Sequence, residues 1–453
     1  MDSKADSQRM EKIVSLCKRR GFIFQSSEIY GGLNGLWDYG PLGVELKRNL
    51  KNYWWRVMVH ERDDVVGMDG SILMNRAVWK ASGHQDTFSD PMVDCRVCKA
   101  RLRADQVIEK KGVRQCPNCG SKDLTESRPF NLMFKTYVGA TEDETSITYL
   151  RPETAQSIFV QFKNVLEVSR KKLPFGIAQI GKAFRNEINP RNFTFRSREF
   201  EQMELEYFCR AEEGMKWLDY WLEERLKFYE NIGIPRDKLH VRTVPDEERA
   251  FYSKGTYDIE YDFPFGGQEL EGVAYRTDYD LSQHQKASGK SLEYFDEETK
   301  QRFVPHVVEP SAGVDRTVLA LICEAYAEDQ APDEKGKMET RLVLRFHPRI
   351  APIKCAVFPL LKNKEQLVAK AKEIVDLLRP HMNVFYDESG AIGRRYRRQD
   401  EIGTPFAVTV DFETLGEKDA ALRDTVTLRE RDSMRQERVA VADLVNILTS
   451  RIH

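Results

Sequence analysis

The 453-residue sequence has no hydrophobic run long enough to span a bilayer. Its first residues, MDSKADSQRMEKIV, lack the apolar centre of a secretory signal peptide. There is no excess of basic charge either, because 70 Lys plus Arg oppose 72 Asp plus Glu. Any surface for nucleic acid must therefore be local. These absences favour a cytoplasmic protein with no membrane partner.

Cysteine is scarce, with eight in the chain, and four of them form two close pairs. Such a distribution favours a reducing compartment over a disulfide framework. Cys95 and Cys98, then Cys116 and Cys119, are each spaced C-x-x-C, which matches a zinc ribbon. Four thiolates can close a tetrahedral shell, so we predict a structural Zn²⁺ in a cysteine-paired insert at 93–122. Four metal-free thiols are the alternative.

The order of predicted elements indicates the fold class. Strand-like runs, separated by long inserts, occur at 175–187, 198–208, 256–263 and 268–280. Helical periodicity occurs at 9–20, 43–59, 153–169 and 213–231. Strands that do not alternate strictly with helices favour an α+β fold with an antiparallel sheet.

In the C-terminal part of the sequence, predicted strands and helices alternate regularly. After a polar segment at 328–338, predicted to be a loop or linker, a β-α-β-α-β rhythm begins near residue 350. Its strands are predicted at 353–358, 383–386 and 406–410, and its helices at 364–379 and 391–402. This rhythm predicts a separate, compact α/β domain.

Residues 184–208, FRNEINPRNFTFRSREFEQMELEYF, combine four arginines and five glutamates with five phenylalanines. Strand alternation places Phe200, Gln202 and Glu204 on one face, opposite an apolar face that includes Leu205. We predict a hairpin, turning at 189–192, whose polar face forms the floor of a site. Arginine suits phosphates and an aromatic ring suits a base, although a salt-bridged surface hairpin would have the same composition.

Three segments resemble the motifs of class II aminoacyl-tRNA synthetases. Motif 2, around 184–208, contains FRNE followed by the spacing R-x-x-x-F-x-x-x-E, and motif 3, around 309–326, contains GVDR. Motif 1, around 38–60, begins with GPLG and continues into the helix at 43–59. The strings SEIYGGLNGLWDYGPLG, RPETAQ, FRNEI, REFEQME and EPSAGVDR are similar, more narrowly, to the glycine-specific family of homodimeric type. The likeness runs from about residue 21 to the C terminus.

This resemblance implies an architecture and a reaction. A catalytic domain at 1–348 would carry the cysteine insert, and an anticodon-binding domain would follow at 349–453. ATP with Mg²⁺ would activate glycine as an adenylate, and the tRNA for glycine would then accept it. A homodimer is implied, with motif 1 at its interface. Selection of the smallest amino acid can depend on steric exclusion, so no editing domain is expected.

The resemblance also implies roles for individual residues. Catalytic roles fall to Arg185, Glu187 and Arg316. The implied ATP site comprises Arg185, Asn186, Glu187, Phe195, Arg196, Phe200, Glu269, Leu270, Gly313, Asp315 and Arg316. The implied glycine site comprises Arg103, Glu153, Phe200, Gln202, Glu204, Glu309 and Ser311. Glu269 and Glu309 are the implied magnesium ligands.

A basic helix in the C-terminal domain is the candidate RNA contact. Four arginines, together with a tyrosine, can neutralise phosphates and stack on a base. The predicted tRNA contacts are Arg394, Arg395, Arg397 and Arg398. A solvated helix is the alternative.

Two other functions are weighed against the enzyme. A non-catalytic accessory subunit of this fold would lose the motif 2 and motif 3 arginines, but Arg185, Arg196 and Arg316 are present. A synthetase for serine, proline or threonine is the second alternative. The carboxylates in RPETAQ and FEQME argue against it.

Overall fold

The structure is a computed structural model that describes residues 3–110, 112–250, 252–332, 336–417 and 419–453. A seven-stranded sheet forms the centre of the larger domain. Its strands are β1 Val65–Gly67, β2 Phe175–Phe184, β3 Glu199–Cys209, β4 Leu239–Thr243, β5 Gly255–Phe263, β6 Gly266–Thr277 and β7 His306–Gly313. They lie side by side in the order β4-β5-β6-β7-β3-β2-β1. Only the β1–β2 pair within this sheet is parallel, which confirms the predicted antiparallel architecture.

Helices cover both faces of this sheet. Those of the larger domain are α1 Ser3–Arg20, α2 Pro41–Trp55, α3 Ala155–Ser169, α4 Gly214–Asn231, α5 Tyr279–Ser288 and α6 Val314–Ala325, with shorter helices at Arg76–Ala81 and His84–Thr87. A π-helical turn, Arg56–His60, continues α2. The helix predictions are confirmed, but α5 was not predicted, because the strand before it was extended to residue 280. Among the described residues, no helix has the length and apolar character needed to cross a membrane.

Two separate cores result from the alternation along β3. Leu205 and its odd-numbered neighbours Met203 and Tyr207 pack in the core shared with α2, α4 and α6. On the opposite face, Phe208 packs with Phe162 and other residues of α3 and α5. The even-numbered face is apolar at Phe208, near the end of β3, but polar at Gln202 and Glu204, which come earlier in the strand, so a cavity can form there.

The segment between β2 and β3 is longer than predicted. The strands end at Phe184 and begin again at Glu199, so residues 185–198 form a loop that contains a 3₁₀ turn at Phe193–Phe195. Asn192 and Phe193 both have φ of 58°, which breaks the regular strand pairing. The predicted four-residue turn at 189–192 is therefore wrong.

Several small ribbons surround the main sheet. Their strands are Ile23–Gln25, Trp37–Tyr39, Leu73–Met74, Ser89–Asp94, Arg101–Arg103, Ile108–Lys110, Val113–Gln115, Arg128–Asn131, Lys135–Tyr137, Ile147–Leu150, Tyr294–Phe295 and Arg302–Phe303. Ser89–Asp94 pairs with both Arg101–Arg103 and Arg128–Asn131, and this small sheet anchors the cysteine-bounded insert.

The C-terminal domain contains a five-stranded sheet. Its elements are β8 Cys355–Pro359, α7 Glu365–Leu378, β9 Val384–Tyr386, α8 Ile392–Ile402, β10 Phe406–Val410, β11 Thr425–Glu430, β12 Gln436–Ala440 and α9 Leu444–Ile452. The order is β9-β8-β10-β11-β12, with β8 parallel to both of its neighbours. The predicted β-α-β-α-β unit is confirmed. The two antiparallel strands β11 and β12 and the final helix were not predicted.

A hairpin joins the two domains where a linker was expected. Its strands, Tyr326–Pro332 and Met338–Leu344, are antiparallel, so the linker prediction at 328–338 is wrong for the described part; residues 333–335 lie outside it. Asp329 stands opposite Arg341 in this pairing. The buried Arg341 also pairs with Asp400 of α8 at 3.1 Å. Buried ion pairs and the apolar residues Val343 and Leu344 together stabilise this hairpin, whose first strand is mostly polar in sequence.

Candidate active site

A cavity of about 440 Å³ opens on the polar face of β3. The predicted residues that line it are Glu153, Arg185, Glu187, Phe195, Arg196, Phe200, Gln202, Glu204, Glu269, Leu270, Glu309, Ser311, Gly313, Asp315 and Arg316. Arg103 and Asn186 are not in this lining. Residues that are far apart in the sequence thus surround a single space.

Strand pairing brings these residues together. Glu204 on β3 stands opposite Ser311 on β7, and Gln202 stands opposite Gly313. Phe200 and Glu204 are four residues apart on one strand, which corresponds to about 13 Å. The cavity therefore has two chemically different ends, one near Phe200 and one near Glu204.

Arginine side chains surround the end near Phe200. The Arg185 guanidinium carbon lies 5.3 Å from the Phe200 ring centroid and 5.4 Å from that of Phe88. Its Nε donates to the carbonyl of Pro152 at 3.0 Å. Arg185 therefore lies between two aromatic rings, and it covers a face of the ring predicted to stack on adenine.

Arg316 is held at the same end by the backbone. Its Nε donates to the Phe195 carbonyl at 3.3 Å and its Nη1 to the Glu269 carbonyl at 3.2 Å. Its guanidinium carbon lies 4.5 Å from the Phe195 ring centroid. These contacts leave one amino group of the guanidinium unused among the described residues, in a position to bind an anion.

Positive charge exceeds negative charge around Arg196. Its Nη1 lies 3.5 Å from a carboxylate oxygen of Glu187. Burial, with the nearby charges of Arg103, Arg316 and Arg191, lowers the pKa of Arg196, whereas Glu187 raises it. An anionic ligand would relieve this repulsion, so this end of the cavity is suited to phosphate groups.

The Asp315 side chain serves the scaffold, although the residue lines the cavity. Its carboxylate accepts from Lys47 Nζ at 2.8 Å, from Tyr39 Oη at 2.6 Å and from the Glu201 backbone N–H at 2.7 Å. Lys47 also pairs with the Glu201 carboxylate at 2.7 Å. Helix α2 is thereby connected to both β3 and the start of α6.

The end near Glu204 is acidic and buried. Glu204 accepts from Thr154 Oγ1 and, at 2.8 Å, from Ser311 Oγ. Glu309 accepts from Arg276 Nη1 at 2.7 Å. Each of these two carboxylates therefore has donors that stabilise its ionised form.

Glu153 approaches the same end from the segment before α3. Its carboxylate accepts from Gln156 at 2.9 Å and lies 3.3 Å from His84. Although burial raises the pKa of Glu153, the charges of His84 and Arg276 and the hydrogen bonds lower it overall. Glu153 is thus ionised at neutral pH.

The pKa values of the other two carboxyl groups shift in the opposite direction, because for them the effect of burial prevails. It raises the pKa of Glu204 to about 8, helped by the charges of Glu309 and Glu153. It also raises the pKa of Glu309, although Arg276 opposes this effect. A group that brings positive charge would favour the ionised forms of both, which suits this end to an ammonium ion.

Arg276 is a buried residue of the acidic end that the sequence did not predict. It is 2% exposed and pairs with Asp280 at 2.8 Å as well as with Glu309. Its guanidinium carbon lies 4.2 Å from the Tyr252 ring centroid. The Arg-x-x-x-Asp spacing was the available signal, but it spans the junction of β6 and α5, which was read as continuous strand.

The two predicted magnesium ligands do not lie together. Glu309 bonds Arg276 at the acidic end, whereas Glu269 lies beside Arg316 at the other, with 3.7 Å between the charged atoms. Asp258, which was not predicted, lines the cavity near Glu269. Burial and the charge of Glu269 raise the pKa of Asp258 to about 6. The magnesium prediction for Glu309 therefore does not fit this geometry.

The four paired cysteines converge. One ligand atom from each of Cys95, Cys98, Cys116 and Cys119 lies within 4.8 Å of the other three. The Sγ atoms of Cys95 and Cys119 are 3.6 Å apart, as are those of Cys98 and Cys116. A tetrahedron with metal–sulfur bonds of about 2.3 Å has edges of about 3.8 Å, so the cluster fits zinc.

Arg103 lies on this insert, outside the cavity. It pairs with Asp90 at 3.0 Å and Asp105 at 3.1 Å. Its charge interacts with Glu187, which belongs to the arginine-rich end. The structure thus does not bring Arg103 to the glutamates with which it was grouped.

The four arginines of α8 have different environments. Arg395 is 2% exposed and donates to the carbonyls of Gly390, Pro359, Asp387 and Leu360. This burial contradicts its predicted tRNA contact, because its donors are occupied by the domain itself.

The other three arginines are more accessible. Arg397 donates to the Pro332 carbonyl at 2.9 Å, and Arg398 pairs with Asp387 at 2.5 Å. Arg394 is exposed, and no ion pair is recorded for it within the described part of the chain. Arg394 is therefore the member of the group most available to a phosphate.

Comparisons with known proteins agree with this two-domain arrangement. A family model described as "tRNA synthetase class II core domain (G, H, P, S and T)" matches residues 134–326, and one described as "Anticodon binding domain" matches residues 354–451. A glycine–tRNA ligase of Thermobifida fusca is 53% identical over 464 residues, covering 99% of each chain. Proteins of the same name from Streptomyces coelicolor and Treponema denticola are 53% and 52% identical, and each covers 98% of this chain.

Proposed function

Since the chain belongs to the glycine–tRNA ligase family of class II synthetases, we propose that its cavity joins glycine to ATP and passes the glycyl group to tRNA. The carboxylate of glycine attacks the α-phosphate of ATP, which forms glycyl-adenylate and releases pyrophosphate. A terminal ribose hydroxyl of tRNA then attacks the glycyl carbonyl and releases AMP. The observation that carries this proposal is one cavity with an arginine-rich end and an acidic end.

The arginine-rich end is proposed to bind ATP. Arg185, which lies beside the Phe200 ring, is assigned to the α-phosphate, where charge develops in the transition state. Arg196, Glu187 and Arg316 are assigned to the adenine and the outer phosphates. The mutual repulsion of the arginines supports this assignment, since triphosphate neutralises it. Catalysis of this kind depends on positioning and charge stabilisation, and it needs no covalent enzyme intermediate.

The acidic end is proposed to bind the ammonium group of glycine. Glu153, Glu204 and Glu309 would surround it, and Ser311 would hold Glu204 in place. Tyr252 and Arg276 close the lining on the far side. A larger amino acid would have to place its side chain among buried carboxylates, which disfavours it both sterically and electrostatically.

Class II synthetases use ATP together with Mg²⁺. Glu269 and Asp258 supply the oxygen ligands that Mg²⁺ prefers, and they lie near the proposed triphosphate position. When bound, the ion neutralises phosphate charge. We propose these two residues, rather than Glu269 with Glu309, as its protein ligands.

The insert is proposed to hold one structural zinc ion. Four thiolates leave no open coordination position, so the ion would stabilise the fold without taking part in the reaction. The insert contacts the loop 185–198 through Asn189, whose side chain lies 2.5 Å from that of Gln106. This contact supports a role in holding the loop beside the cavity.

We propose that the chain acts as a cytoplasmic homodimer. Ile29 is 89% exposed and Tyr30 is 86% exposed, and Leu33 on the same loop is also exposed. This apolar loop precedes α2, which supports an interface on that side of the molecule.

The C-terminal domain, with Arg394 on its surface, is proposed to bind the anticodon region of the tRNA. The proposed domain boundary lies at 348–349.

Pyrophosphate exchange with a panel of amino acids tests the proposal. Glycine-dependent exchange is expected, with little from alanine, serine, proline or threonine. Exchange supported by another amino acid would indicate a different synthetase. No exchange with any amino acid would indicate an accessory subunit.

Arg185 offers a matched pair of variants. Arg185→Ala is expected to abolish exchange, and Arg185→Lys is expected to restore little of it, since lysine lacks the planar fork of donors. Both variants should keep the melting temperature and oligomeric state of the parent protein. Normal exchange by Arg185→Ala would remove this residue from the catalytic assignment.

A further inference from the structure

Glu206 is a buried carboxyl group with no assigned role. It follows Glu204 on the same face of β3 and is 0% exposed. Within the part of the chain that the structure describes, neither of its carboxyl oxygens has a hydrogen-bond partner. An ionised carboxylate in such a position is strongly unfavourable, because burial removes its hydration and nothing replaces it.

Two other carboxyl groups lie close to it. One oxygen from each of Glu204, Glu206 and Glu309 lies within 4.8 Å of the other two. The pairs Glu204–Ser311 and Tyr207–Val308 set the register of β3 and β7, which places Glu206 across from Glu309. Beyond Glu206 the same strand face becomes apolar at Phe208. Glu206 thus lies beneath the acidic end of the cavity, between that end and the hydrophobic core.

Hydrogen bonding distinguishes the three carboxyl groups. Glu204 accepts from two hydroxyl groups, and Glu309 accepts from the Arg276 guanidinium. Glu206 has neither kind of donor. Hydrogen-bond donors favour the ionised forms of Glu204 and Glu309 but not that of Glu206, so Glu206 is the group of the three that takes a proton first and loses it last.

The charges around Glu206 support the same assignment. The groups that face it directly are Glu204 on β3, Glu309 on β7, Arg276 on β6 and Asp280 on α5. More distant charged or titratable groups lie next to these neighbours. They are Glu153 and His84 beyond Glu204 and Glu309, Arg151 beside Glu204, and His284 beside Asp280. Burial, together with Glu309, raises the pKa of Glu206, whereas Arg276 lowers it. The five carboxyl groups of this set outnumber its two guanidinium groups even when one ammonium ion is added.

We propose that Glu206 is a positioning residue that remains protonated throughout the reaction and, by donating to Glu309 or Glu204, orients these carboxylates toward the ammonium group of glycine. It does not touch the substrate. A neutral Glu206 limits the negative charge of the acidic end to what Arg276 and the incoming ammonium can compensate. This inference rests on the proposed function, and its test separates the two.

The decisive variants are Glu206→Gln and Glu206→Ala, measured by glycine-dependent pyrophosphate exchange. Glutamine has the shape of a protonated glutamate and keeps a donor, so the KM for glycine should stay within about threefold of the parent value, with the same pH dependence. Alanine removes the donor, so the KM for glycine should rise at least about tenfold, with a smaller change in kcat and no change in the KM for ATP. Infrared difference spectra should show a protonated carboxyl band in the parent protein that Glu206→Gln lacks.

The opposite results would overturn the inference. If Glu206 were ionised, Glu206→Gln would remove a negative charge, raise the KM for glycine as much as alanine does and move its pH dependence to lower pH. A Glu206→Ala variant with the parent KM would show that Glu206 positions nothing. If alanine prevents folding, the glutamine variant and the infrared band still decide. If the parent protein does not use glycine, the proposed function is refuted instead, independently of the results for the Glu206 variants.

Discussion

The apparent affinity for glycine should depend on pH through Glu204. Burial and two neighbouring carboxylates raise the pKa of this group to about 8 in the free protein. The positively charged substrate needs the ionised form, so binding below that pH must first release a proton. Over the same range, free glycine keeps its ammonium proton. The affinity should therefore increase as the pH rises toward about 8 and level off above it.

The size of the effect follows from the shift. At pH 7, a carboxyl group with a pKa of about 8 is protonated in roughly ten molecules of eleven, which weakens binding about tenfold, or by about 1.4 kcal/mol. Each further pH unit downward costs about another factor of ten. Since Glu204 titrates together with its neighbours, the midpoint belongs to the group of carboxyls rather than to one of them.

Pyrophosphate exchange between about pH 6.5 and about pH 9, at saturating ATP, measures this dependence. The KM for ATP serves as an internal control, because the proposed triphosphate position is at the other end of the cavity from Glu204. A Glu204→Gln variant should bind glycine weakly at every pH and lose most of the slope. A KM for glycine that stays constant below pH 8 in the parent protein would refute the assignment of Glu204 to the ammonium group.

Three further predictions concern other charged or metal-binding groups. Arg276→Ala removes the guanidinium partner of the buried carboxylates Glu309 and Asp280, so we expect a loss of about 3–5 kcal/mol in the free energy of unfolding and loss of glycine exchange. An unchanged denaturation midpoint would contradict this. Arg394→Ala should raise the KM for tRNA and reduce the salt dependence of tRNA binding by about one phosphate contact. Arg395→Ala should mainly lower the melting temperature. Equal effects of the two variants on the salt dependence would contradict their different burial. Metal analysis should find one zinc per chain, lost in Cys98→Ser together with protease resistance of the insert, and a zinc-free parent protein would refute the site.

The sequence predicted what periodicity and spacing encode directly. The two faces of β3 followed from alternation, and α2 followed from the helical spacing of Leu46, Leu50 and Trp54. The four cysteines were predicted to converge from their spacing alone. Phe200, Glu204 and Arg316 were grouped through motif resemblance, and the structure brings all three to one cavity.

What the sequence did not reveal depends on tertiary contacts. Arg395 and Arg394 are adjacent in a basic helix, yet four backbone carbonyls bury the first while the second faces solvent. Asp315 belongs to a motif associated with nucleotide binding, but Lys47 from a distant helix engages its carboxylate. The burial of Arg276 requires β6 to end at residue 277, which no local signal marked clearly.

Asp400 connects the hairpin at the end of the larger domain to the sheet of the C-terminal domain. It accepts from Arg341 of the hairpin and from Arg429 of β11, and all three side chains are buried. Separating these groups would leave a buried charge without its partner, which would destabilise the folded state by about 3–5 kcal/mol. The cavity and the anticodon-binding domain are thus held at a fixed separation. A tRNA that reaches both must match that distance, because the protein does not adjust it.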